Sequence, residues 1–250
     1  MNYKLLLNFA LLTGEIMLEN GAETFRVEDT ISRILKTSKC QTAEAFVTPT
    51  GIFASLDHPD MDLMTVVRRI KKRQINLNRI ALANDISREF CVNELSLEAA
   101  MYQIQQVKNE PGYSSLIHIC STGLAAGFFA LVFGGTISDM GVALIAGLVF
   151  GISQHLLNLI GASKFLIDII GGMLCALIPF LFIYKIGLGN HFDLVVISSI
   201  MPMVPGVAIT NAIRDTLNGE LLSGVARATD AFIIAASIAT GIGIMLSTLF

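Results

Sequence analysis

Charge is scarce in this chain. Asp, Glu, Lys and Arg make up 15% of its 250 residues, against roughly a quarter in ordinary soluble domains. Hydrophobic residues reach 53% and mean hydropathy is +0.66. The scarcity is uneven. Of 17 basic residues, 13 precede Tyr113, as do 14 of the 20 acids. The net charge of −3 therefore divides almost evenly, and neither part has the basic excess that nucleic-acid binding requires. The four cysteines, Cys40, Cys91, Cys120 and Cys175, form no CxxC pair and show no ligand spacing, so burial is expected of them rather than metal or disulfide chemistry. GxSxG, HExxH and a phosphate loop are all missing. No enzyme and no cofactor is indicated. Lys4 with Leu5–Leu12 imitates a secretory leader, but Glu15 and Glu19 follow and no small-residue cleavage site appears, so a retained amphipathic helix is expected.

Two parts follow from the charge boundary at Pro111-Gly112. Residues 1–112 read as a small cytoplasmic α+β domain. A helix over Leu5–Glu19 ends at Asn20-Gly21, and a second over Glu23–Lys36 carries Val27, Ile31, Ile34 and Leu35 on one stripe. Alternation from Thr42 to Val47, a turn at Pro49-Thr50-Gly51 and an extended run from Ile52 to Leu56 predict a hairpin, with a third strand over Met61–Ile70. Two helices close the part, at Leu77–Val92 and at Leu97–Lys108 behind Ser96. The basic run Arg68-Arg69-Ile70-Lys71-Lys72-Arg73 suits a solvated strand end or contact with anionic lipid head groups. Nucleic acid is disfavoured because no aromatic residue interleaves the charges.

Residues 113–250 read as an α-helical integral membrane domain of about five transmembrane helices, near Ser115–Gly135, Met140–Ile160, Lys164–Ile186, Phe192–Ile213 and Val225–Leu249. Each is long enough for a ~30 Å hydrocarbon core. Gly123/Gly127 and Gly147/Gly151 are GxxxG pairs that suit close helix packing. Lys164, Arg214 and Arg227 fall on one side against Lys185 on the other, which predicts a cytoplasmic N-terminal domain and an outward C-terminus.

The fourth span is interrupted by Pro202, Pro205 and Gly206. Prolines here free backbone carbonyls that lipid cannot satisfy, so the break must face protein or water. A half-helix beginning there would aim its positive end at an anionic substrate. His118, Gln154, His155, Asn158, Asp168, Asn211–Asp215, Arg227 and Asp230 fall at one predicted depth and predict a polar vestibule. Substrate contacts are expected from Pro202, Pro205, Gly206, Thr210, Asn211 and Arg214, and coupling or gating from Asp168, Asp215, Arg227 and Asp230. Arg214 with Asp215, and Arg227 with Asp230, are candidate ion pairs.

The string from Met201 to Asp215, with Ser223-Gly224-Val225-Ala226-Arg227, Gly21–Glu28 and Pro49-Thr50-Gly51, resembles the threonine/serine exporter family over nearly the whole chain. The resemblance implies export of small hydrophilic metabolites across the cytoplasmic (inner) membrane, driven by the proton-motive force. It also implies the split form of the family, in which a small membrane subunit or a homo-oligomer supplies a second membrane module, and in which a dicarboxylate such as succinate is an alternative substrate. A reading of another class is a membrane-anchored sensor or scaffold, for which an interrupted helix and clustered intramembrane charge would serve no purpose.

Overall fold

The structure, a computed structural model, describes residues 2–40, 42–58, 61–71 and 73–250; Lys72 of the basic run lies outside them. The chain divides into two compact units, Met1–Pro111 with Val207–Thr229, and Gly112–Gly206 with Asp230–Phe250. The first unit thus takes in a late segment that the expected boundary at residue 112 assigned to the membrane part.

In the first unit, α1 (Tyr3–Glu19) is apolar on nearly every side and buries Leu6, Leu7, Phe9, Leu11, Ile16 and Met17. A helix with so little polar face has to be the centre of a core rather than its cover. Each large apolar side chain so buried contributes about 1.5–3 kcal/mol. The predicted stripe of α2 (Thr24–Lys36), Val27, Ile31, Ile34 and Leu35, is buried against it. Helices α3 (Leu77–Cys91) and α4 (Leu97–Asn109) add Phe90 and Ile104, and Phe90 meets Phe9 edge-on at 5.1 Å between centroids. Ser96 caps α4 by accepting from the Ala99 N–H.

Strands β1 (Thr42–Thr48), β2 (Gly51–His58) and β3 (Met61–Arg69) form an antiparallel sheet in that order. Pro49 and Thr50 alone make the first turn, because Thr48 already pairs with Gly51. Period-two alternation sends Val47, Ile52, Ala54 and Leu56 into the core, and leaves the cross-strand row Phe46, Phe53 and Val67 exposed.

Among the described residues, four helices are long and apolar enough to span a membrane: α5 (Ser115–Val132), α6 (Ile137–Leu159), α7 with its extension (Lys164–Ile186) and α10 (Leu221–Leu249). An interrupted pair, Phe192–Met203 and Gly206–Leu217, makes a fifth if counted as one span. Ser114, Thr136 and Ser163 cap α5, α6 and α7 by accepting backbone N–H bonds, so each begins where a small hydroxyl residue stands. Pro179 sits inside α7, and the helix widens into a π turn over Leu181–Ile186 just after it, a common relief for a missing donor.

Small residues set the packing of the second unit. A Cβ added to Gly147 would stand 2.9 Å from the Thr122 carbonyl and 3.0 Å from Gly123 Cα, so α5 and α6 touch backbone to backbone. Gly172 and Gly241 do the same for α7 and α10. Of the cysteines only Cys175 is buried; Cys40 and Cys91 are half-buried and Cys120 is exposed, contrary to the expectation of uniform burial.

The interruption has an assignable cause. Pro202 opens a 3-10 turn over Met201–Met203, entered from helical backbone, so it tightens the helix without ending it. Val204 leaves the helix at φ −60° and ψ 129°. The residue before a proline is driven out of the α region. Pro205 makes the break. Helix α8 (Phe192–Ile200) precedes it and α9 (Gly206–Leu217) follows.

Candidate functional site

Helix α1 stops at Asn20, and Gly21 takes φ +98°, a turn any side chain would strain. The chain then enters α2 with Glu23 at the cap position, yet the Glu23 side chain makes no capping bond. The first backbone donor of that helix is met from α9 instead. Thr24 donates its backbone N–H to Asp215 Oδ1 at 3.0 Å and its hydroxyl to Asp215 Oδ2 at 3.1 Å. A carboxylate at a helix N-terminus is favoured by both hydrogen bonding and the helix dipole. Asp215 is fully buried, and Arg227 Nε stands 2.9 Å from its Oδ2.

The remaining contacts complete one polar knot. Arg227 Nη2 donates to the Ala22 carbonyl at 2.7 Å, and Asn211 Nδ2 to the Gly21 carbonyl at 2.8 Å. Arg214 Nη1 donates to Glu23 Oε1 at 2.6 Å, and Arg26 approaches the other oxygen at 3.6 Å. Burial pushes the Glu23 carboxyl up, but its own backbone N–H, the Arg214 bond and the Arg26 charge outweigh that and hold it below the ordinary value. Burial raises the Glu28 carboxyl; the Val47 N–H opposes this, and the charge of Glu220 adds to it. At Gly224 a Cβ would run into Thr216, so the start of α10 crosses α9 with no room for a side chain.

A model of a family described as "Putative threonine/serine exporter" matches residues 8–249. The chain belongs to that family. A protein named "Probable threonine/serine exporter" from Mycobacterium tuberculosis (strain ATCC 25618 / H37Rv) is 24% identical over 245 residues, covering 96% of this chain and 45% of its own length. The chain thus spans about half of that curated relative. No solved structure matches it. Membership in that family, together with the long apolar helices, marks a membrane protein.

The family setting sharpens what the knot is. The string Gly21–Glu28 lies far in the chain from Pro205–Asp215 and Ser223–Arg227, and Thr24 and Asp215 are 191 positions apart. The knot ties all three together. Of the sequence-predicted residues, Asn211, Arg214, Asp215 and Arg227 come together here. Thr210 lies on the exposed side of α9, and Pro202, Pro205 and Gly206 mark the break.

The expected ion partners change. Arg214 binds Glu23 rather than Asp215, because neighbours one position apart on a helix do not face each other. Arg227 turns to Asp215, and Asp230 belongs to the second unit. The expected vestibule likewise divides: Asn211–Asp215 and Arg227 lie in the first unit, whereas His118, Gln154, His155, Asn158 and Asp168 lie in the second, at the start of α5, the end of α6 and the start of α7.

One built polar site escaped the sequence reading. Asp139, fully buried at the start of α6, accepts from Thr136 N and Oγ1, from the backbone N–H groups of Asn190 and His191, and pairs with His191 Nδ1 at 2.9 Å. The signal was present as Thr136-x-x-Asp139, a capping-box spacing ahead of an apolar run. The loop before α8 hangs on that one carboxylate.

Proposed function

We propose that this chain is the membrane component of a secondary exporter that moves threonine, serine and similar small carboxylate-bearing metabolites out across the cytoplasmic membrane, driven by a proton gradient. Its N-terminal part faces the cytoplasm and its C-terminus the outside. It works with a small membrane subunit or as a homo-oligomer. The observation that carries this reading is the convergence of the family's separated strings on one charged knot beside the interrupted helix.

Arg214 is the substrate-facing group of that knot. Its side chain is 57% exposed while bonded to Glu23 through a single nitrogen, so the guanidinium fork keeps donors for a second carboxylate. Arg227 is 13% exposed and already committed to Asp215 and Ala22. Arg26, 62% exposed and 3.6 Å from the other Glu23 oxygen, is a second exposed cation of the knot, so a dicarboxylate such as succinate is the alternative substrate.

The test is uptake of labelled threonine, serine and succinate into everted vesicles under an imposed proton gradient, with the chain alone and with a co-expressed small membrane subunit. Gradient-dependent uptake of an amino acid, lost in Arg214→Met while the protein remains inserted, is the expected result. Inserted protein that moves none of the three under either condition sinks the exporter reading in favour of a sensor or scaffold.

A further inference from the structure

Asp168 lies one turn into α7 and is only 6% exposed, yet its Oδ2 has no hydrogen-bond partner among the described residues. Gln154, near the end of α6, carries a second orphan of the same kind at Oε1. The two helices fix how these atoms stand. They run antiparallel through the short connection at residues 160–163, and the Phe150 ring comes within 2.6 Å of where a Cβ on Gly171 would be. From that crossing toward the connection, Gln154 lies four residues along α6 and Asp168 three residues back along α7. At about 1.5 Å per residue their levels agree to within about 1.5 Å. Two buried acceptors therefore share one depth between the same pair of helices.

An ionised carboxylate without a partner in such surroundings is costly. With the Gln154 amide oriented so that Oε1 faces Asp168, the two acceptors cannot satisfy each other. One proton resolves both: bound to Asp168 it removes the charge, and the new O–H donates to Gln154 Oε1. We propose that Gln154 and Asp168 together form a one-proton site, and that, on the exporter reading above, it is the site through which the proton gradient acts.

The groups around it are few. Lys164 lies one turn earlier on α7, and His155 follows Gln154 on α6. The side of α10 that crosses α7 at Gly172 brings Ile238 and Ile242, with Asp230 two turns before Ile238 and engaged in an interaction of its own. At Gly171 the turn after α8 brings Met203, which cannot titrate. Of these, Lys164 and a protonated His155 are the groups that would favour the anion.

The experiment is infrared difference spectroscopy of the whole chain in lipid vesicles at neutral pH, with a parallel transport assay. The expected spectrum shows the carbonyl stretch of a neutral carboxylic acid, absent in Asp168→Asn and shifted in Gln154→Leu, where the hydrogen bond is lost but the acid remains. The Gln154→Leu arm also decides the matter if Asp168→Asn fails to fold. No such band in the wild type overturns the proposal, in favour of an ionised Asp168 that accepts from the Gln154 amide or holds a metal cation. A sodium titration of the carboxylate stretch tells those apart.

In transport, Asp168→Asn should lower gradient-driven accumulation of threonine by about tenfold or more, the scale of a typical coupling free energy, while threonine–threonine exchange persists. Undiminished accumulation overturns the coupling role. Wild-type vesicles that move no substrate would instead count against the exporter reading, and the infrared band would still decide the proton site.

Discussion

Removing the carboxylate of Asp215 tests the knot most directly. In Asp215→Ala the backbone N–H and hydroxyl of Thr24 lose their acceptor, and Arg227 keeps its charge with a side chain only 13% exposed. Breaking a buried pair by deleting one partner costs about 3–5 kcal/mol, mostly because the other charge is stranded. At about 2–4 °C per kcal/mol for a chain of this size, the melting temperature should fall by about 6–20 °C. Heat unfolding of the full chain in micelles, followed by circular dichroism, is the suitable assay, since the chain has no tryptophan to report by fluorescence. The discriminating variant is the double one, Asp215→Ala with Arg227→Met. It removes the stranded charge, so it should lie closer to wild type than the two single losses added together, by about 0.5–3 kcal/mol. A single-variant loss no larger than the ~1 kcal/mol of an exposed ion pair would refute the reasoning. So would additivity in the double variant.

Two further outcomes follow from separate features. The Glu23 carboxyl is held below its ordinary value of 4.5, so its pairing with Arg214 stabilises fully above that pH and is lost as pH falls below it. Because Arg214 is more than half exposed the effect is modest, about 0.2–1 kcal/mol, and Glu23→Gln should flatten that part of the acid limb of a stability–pH curve while leaving Arg214 without its partner at neutral pH. On α10, Gly241→Ala places a methyl group against the backbone carbonyl of Ile169, which cannot yield, and should cost about 1–3 kcal/mol. Gly243→Ala, two positions on, meets nothing within 4 Å and should gain up to about 1 kcal/mol of helix propensity. Melting curves that rank these two glycines in the other order would show that α7 and α10 do not pack as described.

Much of the fold could be read in advance because its signals are local. The stripe of α2, the alternation of the three strands and the Ser96 cap of α4 each depend on residues a few positions apart. The proline break was legible as well, although which proline mattered was not: only the backbone of Val204 separates Pro205 from Pro202. The partners of the charged residues were the illegible part. Pairing Arg214 with Asp215 followed proximity in sequence, whereas the observed partner, Glu23, is 191 positions away. No period or propensity carries that information. The same holds for His191 and Asn190, whose tie to Asp139 closes a loop of about fifty residues.

On the proposed topology, with the N-terminal part outside the bilayer, the tie between Thr24 and Asp215 also counts membrane crossings. Two stretches of chain in contact outside the bilayer lie on one side of it, so the chain joining them must traverse it an even number of times. On that topology the candidate spans α5, α6 and α7 give three passages, and the fourth falls to the stretch from Phe192 to Met203. A helix of that length rises about 18 Å, against a hydrocarbon core of ~30 Å. The shortfall has to be met by a locally thinner bilayer or by backbone that stands against protein and water instead of acyl chains. Parity thus gives the fourth passage to the shortest of the candidate helices among the described residues.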